Sequence, residues 1–231
     1  MQLALTAPMQ TRLVIFDAFN TLVRPVPGLE NTFVTALGNA GIDATPAVMA
    51  RLQSASAGLE HREWSRSRAD YVDWTAATLR KLTPSTIAAA APRIIPALEQ
   101  WHQAPMQMFP DVAGCIPALR ERGIAIAICS NWGWDLPEDL AQAQVSDWID
   151  VVVSSAAAGW RKPNSAIYRT VLDVAGVEAD RAVFVGDNID ADVRGPQRAG
   201  IRSILLDRAG SDVDGYATIT SLCDLLLHLQ P

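Results

Sequence analysis

Four places along the chain carry side chains able to attack, bind or neutralise an anion, and each follows an apolar run. Residues 13–22 read LVIFDAFNTL, so Asp17 comes directly after four apolar residues. Residues 124–131 read IAIAICSN and end in Ser130 and Asn131. Lys162 stands in WRKP, a few residues after the apolar run at 151–153. Residues 182–192 read AVFVGDNIDAD and put Asp187 and Asp192 just past a fourth run. A carboxylate used as a nucleophile splits one difficult displacement into two easier steps. A lysine supplies a compact point charge. Carboxylates gathered at one place repel unless a cation lies among them, and Mg²⁺ takes carboxylate, carbonyl and water oxygens. Each residue alone also has a plainer reading. A strand-end Asp caps a turn, a loop lysine faces solvent, and Asp187 and Asp192 serve as turn and helix caps.

The surrounding elements decide whether these side chains can meet. Short apolar runs bounded by turn residues read as strands buried on both faces. Open α/β sheets collect ligands beyond the carboxyl ends of such strands. Strands are expected at residues 12–17, 124–129, 151–154, 182–185 and 203–206. Helices are expected at 111–123, with Asp111 as N-cap, and at 136–144, 164–175, 192–199 and 222–229. Strands alternating with helices predict an α/β protein with a parallel sheet covered on both faces. Between residues 29 and 103 strand signals vanish and apolar spacing turns helical: Phe33, Ala36, Leu37 and Ala40 share a face stopped by Gly41, and Thr45-Pro46 restarts a helix. Residues 103–110, with two prolines, read as a return linker.

The succession Asp, Ser, Lys, Asp at four strand ends resembles the four motifs of the haloacid-dehalogenase-like hydrolase superfamily, over nearly the whole chain. The resemblance implies a Rossmann-like core made of residues 1–25 and 106–231, with an inserted all-helical cap domain over 26–105, as in subgroup I. It also implies a short helical squiggle and a β-hairpin flap after the first strand. In that frame Asp17 is the nucleophile and Ser130 hydrogen-bonds an oxygen of the transferring group, with the Asn131 amide beside it. Lys162 neutralises the charge that Asp17 and the substrate share, and Thr21 ties the Asp17 loop in place. Trp132, directly after Ser130 and Asn131, either walls the pocket, contacts the cap or only packs. Mg²⁺ would be held by Asp17, the Phe19 backbone carbonyl, Asp187 and Asp192. Asn188 and Asp190 are expected to face solvent.

One position departs from the family's phosphatases. The residue two after their nucleophile is a second Asp, which gives a proton to the leaving oxygen and takes one from water. Here it is Phe19. General acid–base catalysis typically contributes about 10²–10⁴-fold. The 17–21 segment is closer to the family's 2-haloacid dehalogenases, whose halide leaves without a proton, but those enzymes use no metal and lack the Gly-Asp pair kept at 186–187. Three readings follow: a Mg²⁺-dependent hydrolase of a small phosphorylated metabolite, a 2-haloacid dehalogenase, and a non-catalytic descendant that binds a ligand or partner.

Bulk properties narrow the partners. The chain has 231 residues, 49% of them hydrophobic, and a formal net charge of −6. That balance argues against a nucleic-acid surface, which needs clustered Lys and Arg, while leaving room for a small anionic substrate in a locally positive pocket. No stretch nears about 18 uninterrupted apolar residues, so no membrane span is expected. The opening MQLALTAPMQTR lacks a basic n-region and reads as a loose leader. Three scattered cysteines, Cys115, Cys129 and Cys223, suit a reducing compartment, and a cytoplasmic location is expected. Nothing in the pattern chooses between monomer and homodimer. Within the expected cap, His61, Trp64 and the basic group Arg62, Arg66 and Arg68 either meet the substrate or form a solvated face. Tyr71 and Trp74 read as core.

Overall fold

The computed structural model of the protein describes residues 10–27, 105–211 and 213–229, with isolated positions at 38, 41, 43–46 and 69. The expected helical cap falls almost wholly outside the described residues, and with it His61, Arg62, Trp64, Arg66, Arg68, Tyr71 and Trp74. Gly41 is an exception: it takes φ 74°, and its amide donates to the Gly38 carbonyl, as at a helix end.

The described elements run β1 (Leu13–Phe16), β2 (Val23–Pro25), β3 (Met106–Met108), α1 (Val112–Glu121), β4 (Ala125–Ser130), α2 (Leu136–Gln142), β5 (Val151–Ser154), α3 (Ser155–Ala158), α4 (Ser165–Ala175), β6 (Ala182–Gly186), α5 (Gly195–Arg198), β7 (Arg202–Leu206), β8 (Thr218–Ile219) and α6 (Leu225–His228). Six strands form one parallel sheet in the order β5-β4-β1-β6-β7-β8. This is the Rossmann-like α/β architecture expected from the strand–helix alternation.

β1 is central because every one of its side chains is apolar and has a face to fill. Successive side chains on a strand point to opposite faces. Val14 and Phe16 pack with Val112, Ile116 and Leu119 of α1, and Leu13 and Ile15 pack with Ile167, Tyr168 and Val171 of α4. All four β1 residues are fully buried, and each such side chain contributes about 1.5–3 kcal/mol of transfer free energy. Asp17 follows at the strand's carboxyl end, flanked by the ends of β4 and β6.

The structure corrects three local expectations and adds one strand. The 103–110 stretch is more than a linker: its centre is β3, paired antiparallel with β2 in the register Val23↔Met108. Its three residues are too few to show a period. The helix expected at 192–199 starts earlier, as a π-helical turn, Ile189–Arg194, that runs into α5. Asn188 sets that start, because its side chain accepts from the Asp190 and Ala191 amides. The two-residue β8 is an addition at the sheet edge. Asp111 stands at the N-cap position of α1, but its side chain makes no cap hydrogen bond. That carboxylate is committed to Arg208, Ser221 and the Leu222 amide instead. No helix among the described residues is long and apolar enough to cross a membrane.

Candidate active site

Four strand ends bring the sequence-selected residues together. Asp17 leaves β1, Ser130 closes β4, Lys162 comes from the loop after β5 and α3, and Asp187 follows β6. Ser130 Oγ donates to Asp17 Oδ1 at 2.8 Å, and Lys162 Nζ donates to the same oxygen at 2.7 Å. Lys162 also reaches Asp192 Oδ1 at 2.7 Å. Lys162 is 4% exposed, which rules out an ordinary surface lysine.

Local structure explains how a lysine arrives there. α3 ends at Gly159 with φ 71°, a left-handed turn that favours glycine. Asn131 then grips the Lys162 peptide from both sides: its Oδ1 accepts from the Lys162 amide at 2.7 Å, and its Nδ2 donates to the Lys162 carbonyl at 3.0 Å. From sequence, Asn131 is expected to act through its backbone amide. Its side chain fixes where Lys162 begins. The far side of Nζ is bounded by the Phe184 ring, 5.2 Å away.

Asp192 is buried at 1% exposure. Besides Lys162 it accepts from the Asn188 amide at 2.9 Å. Gly186 makes room for it, since a Cβ at that position would overlap the Asp192 carboxyl. Tyr168 from α4 donates to the Ala191 carbonyl at 2.5 Å and steadies the same turn. Asp187 is exposed at the rim, and Asp190 faces solvent in a pair with Arg194.

Burial disfavours the charged form of each of these groups, and neighbours decide the outcome. For Lys162, burial opposes the charge, but Asp17 and Asp192 hold its pKa above the ordinary lysine value. Asp192 is pushed up to about 6, by burial that the Lys162 charge only partly offsets. Asp187 is raised by the protein crowded around it and then by the Asp17 charge. The thiol of Cys129, inside β4, is pushed up to about 12 by burial and stays neutral.

Oxygens of Asp17, Asp187 and Asp192 lie within 4.8 Å of one another. Three carboxylates against one ammonium leave an excess of negative charge. An all-oxygen donor set of this kind fits a small hard divalent cation.

The loop after β1 turns at Asn20, with φ 58°. The Leu22 and Val23 amides both return to the Ala18 carbonyl, and the Asn20 amide to that of Val23. Thr21 does not hold this loop through its hydroxyl. The side chain is fully buried, and Oγ1 finds no partner among the described residues. Phe19 is partly buried against the core, with its ring centroid 6.2 Å from that of Trp132. Trp132 is fixed by its Nε1, which donates to Asp139 at 2.8 Å. Beside the loop opens a cavity of about 390 Å³, lined in part by Asn20, Phe109, Asp187, Ile189 and Arg208.

Comparison with known proteins identifies the family. The family model for haloacid dehalogenase-like hydrolases matches residues 11–200. A phosphoglycolate phosphatase of Rhodospirillum rubrum is 32% identical over 207 residues, covering 84% of this chain and 79% of its own. Haloacid dehalogenase-like hydrolase domain-containing protein 3 of Homo sapiens is 27% identical over 213 residues, covering 86% and 82%. Among solved structures, a HAD phosphatase from Thermococcus onnurineus superposes with a TM-score of 0.68 at 22% identity, over 95% of this chain and 98% of that one. The chain belongs to the haloacid dehalogenase-like hydrolases and is a hydrolase with phosphatase relatives.

Proposed function

We propose that the protein hydrolyses a small phosphorylated metabolite through a covalent intermediate on Asp17, with Mg²⁺ held by Asp17, the Phe19 backbone carbonyl, Asp187 and Asp192. The observation that carries this reading is the convergence on Asp17: Ser130 and Lys162 both donate to its Oδ1, at 2.8 and 2.7 Å, and two more carboxylates lie within reach. Lys162 and Ser130 hold the carboxylate oriented for attack through their hydrogen bonds to Oδ1. Attack of an Asp17 oxygen on phosphorus forms the acyl phosphate and expels the leaving oxygen. Water then attacks phosphorus, the bond from phosphorus to the Asp17 oxygen breaks, and phosphate leaves carrying the water's proton while the carboxylate is restored. The bound metal would supply charge neutralisation on the phosphoryl oxygens. Ser130 and the Asn131 amide hold a substrate oxygen, and Trp132 closes the side of the pocket next to Phe19.

Phe19 shapes the substrate class. With no acid at that position, substrates whose leaving group departs without a proton are favoured, acyl phosphates above all, unless a residue of 26–105 supplies the proton. The same residue supports a second reading, hydrolysis of a 2-haloacid. A screen of acetyl phosphate, p-nitrophenyl phosphate and 2-chloropropionate, each with Mg²⁺ and with EDTA, separates them. Mg²⁺-dependent phosphate release is expected. Halide release that persists in EDTA would make the dehalogenase reading the correct one.

A further inference from the structure

We infer that Arg208, on the loop after β7, is a positioning residue for the reaction: it clamps the 17–23 loop, which carries both Asp17 and Phe19. The loop leaves a specific need. Its own amides answer the carbonyls of Ala18 and Val23, and the Phe109 amide answers that of Leu22. The chain turns left-handed at Asn20, φ 58°, and two successive carbonyls, those of Asn20 and Thr21, take a donor from outside the loop. Arg208 meets both, with Nε donating to the Asn20 carbonyl at 3.2 Å and Nη2 to the Thr21 carbonyl at 2.7 Å.

The guanidinium is itself held on its other edge. Nη1 and Nη2 donate to the two oxygens of Asp111 at 2.9 and 3.0 Å. Four of the five donors of a planar guanidinium are thus used in one plane. One face of that plane lies over the Phe109 ring, 3.9 Å from its centroid. Asp111 is anchored in turn by the Leu222 amide at 2.9 Å and Ser221 Oγ at 3.1 Å. Three segments distant in sequence therefore close on the loop. A lysine carries the charge but lacks the fork, so it could satisfy Asp111 or the carbonyls but not both.

The inference rests on the proposed chemistry only for which groups the loop serves; the clamp can be measured without any substrate. Amide hydrogen exchange of Arg208→Lys, metal-free, is the test, with Asp111→Asn as a milder variant and Arg120→Gln, which removes the exposed Arg120–Asp150 pair, as a control. Exchange at the Asn20, Leu22 and Val23 amides should rise more than about tenfold in Arg208→Lys and less in Asp111→Asn. The amides of β4 and β6 should not change, nor should the loop amides in Arg120→Gln. Mn²⁺ affinity should fall with loop order, and kcat should drop by up to about 10²-fold at nearly unchanged KM. Unchanged exchange in the loop, or a rise spread evenly over the sheet, overturns the clamp. A loosened loop in a protein that releases no phosphate from any substrate keeps the clamp and overturns the proposed function.

Discussion

Lys162 and Asp192 form an ion pair sealed from solvent: Nζ lies 2.7 Å from Oδ1, and the two side chains are 2% and 1% exposed. The same ammonium holds Asp17 at 2.7 Å. One cation thus links the proposed attacking group to a buried carboxylate of the proposed metal site. Breaking a buried pair by deleting one partner leaves uncompensated charge and costs about 3–5 kcal/mol. Lys162→Met should lower the free energy of unfolding at neutral pH by that order in urea titrations, and should cut kcat by about 10²–10³-fold. A variant of full stability would mean that pairing with Lys162 contributes nothing net to the folded state.

Asp192 sets a pH dependence. Its pKa is raised from 3.8 to about 6 by burial, so in the metal-free protein the unfolded chain gives up this proton first. The group's contribution to stability therefore declines as pH rises from about 4 to about 6, and is level above that. A metal requires the carboxylate. Apparent Mg²⁺ affinity should fall by roughly tenfold per unit below about pH 6, with close to one proton released per ion bound. Calorimetry in buffers of different ionisation enthalpy measures this directly. Equal affinity at acid and neutral pH, with no proton released, would assign the shift elsewhere.

Gly186 should tolerate no side chain, because any Cβ there collides with the Asp192 carboxyl. Overpacking of this kind costs about 1–3 kcal/mol, well within what a folded domain survives. Gly186→Ala should therefore remain folded by circular dichroism while losing more than about tenfold in Mg²⁺ affinity. Retained affinity would show that Asp192 has room to move without leaving the site.

Phe19→Asp restores a proton-transferring group beside Asp17. Phosphate release from p-nitrophenyl phosphate should rise with it, within the usual range of about 10²–10⁴-fold for general acid–base catalysis. Acetyl phosphate, with its better leaving group, should gain less. An absent gain on both substrates would mean that proton transfer does not limit this site, and an equal gain would place the limit at the water step, which both substrates share.

The core and the four strand ends were legible because each signal is local: an apolar run, then one polar residue of the right type. The same locality explains what was not. Arg208 and Asp111 lie 97 residues apart and meet only in the fold, so Asp111 read as an N-cap and Arg208 carried no signal at all. Asn188 read as a solvent-facing turn residue, although its side chain caps the π-helical turn that buries Asp192. Asn131 could have been suspected from its place beside Ser130, but its grip on the Lys162 peptide joins positions 31 residues apart. Strands of two or three residues, such as β8 and β3, are too short to display a period. Thr21 reads as a tie for the Asp17 loop, and the atom that makes the contact, its carbonyl, meets Arg208 from 187 residues away.

The measurement that bears most directly on the account is phosphate release from acetyl phosphate by the wild-type protein and by Asp17→Asn, each with Mg²⁺ and with EDTA. Release by the wild type that requires Mg²⁺, and that falls to background in Asp17→Asn, is the predicted result. Release that survives Asp17→Asn, or that is indifferent to EDTA, would contradict an Asp17 nucleophile working beside a metal.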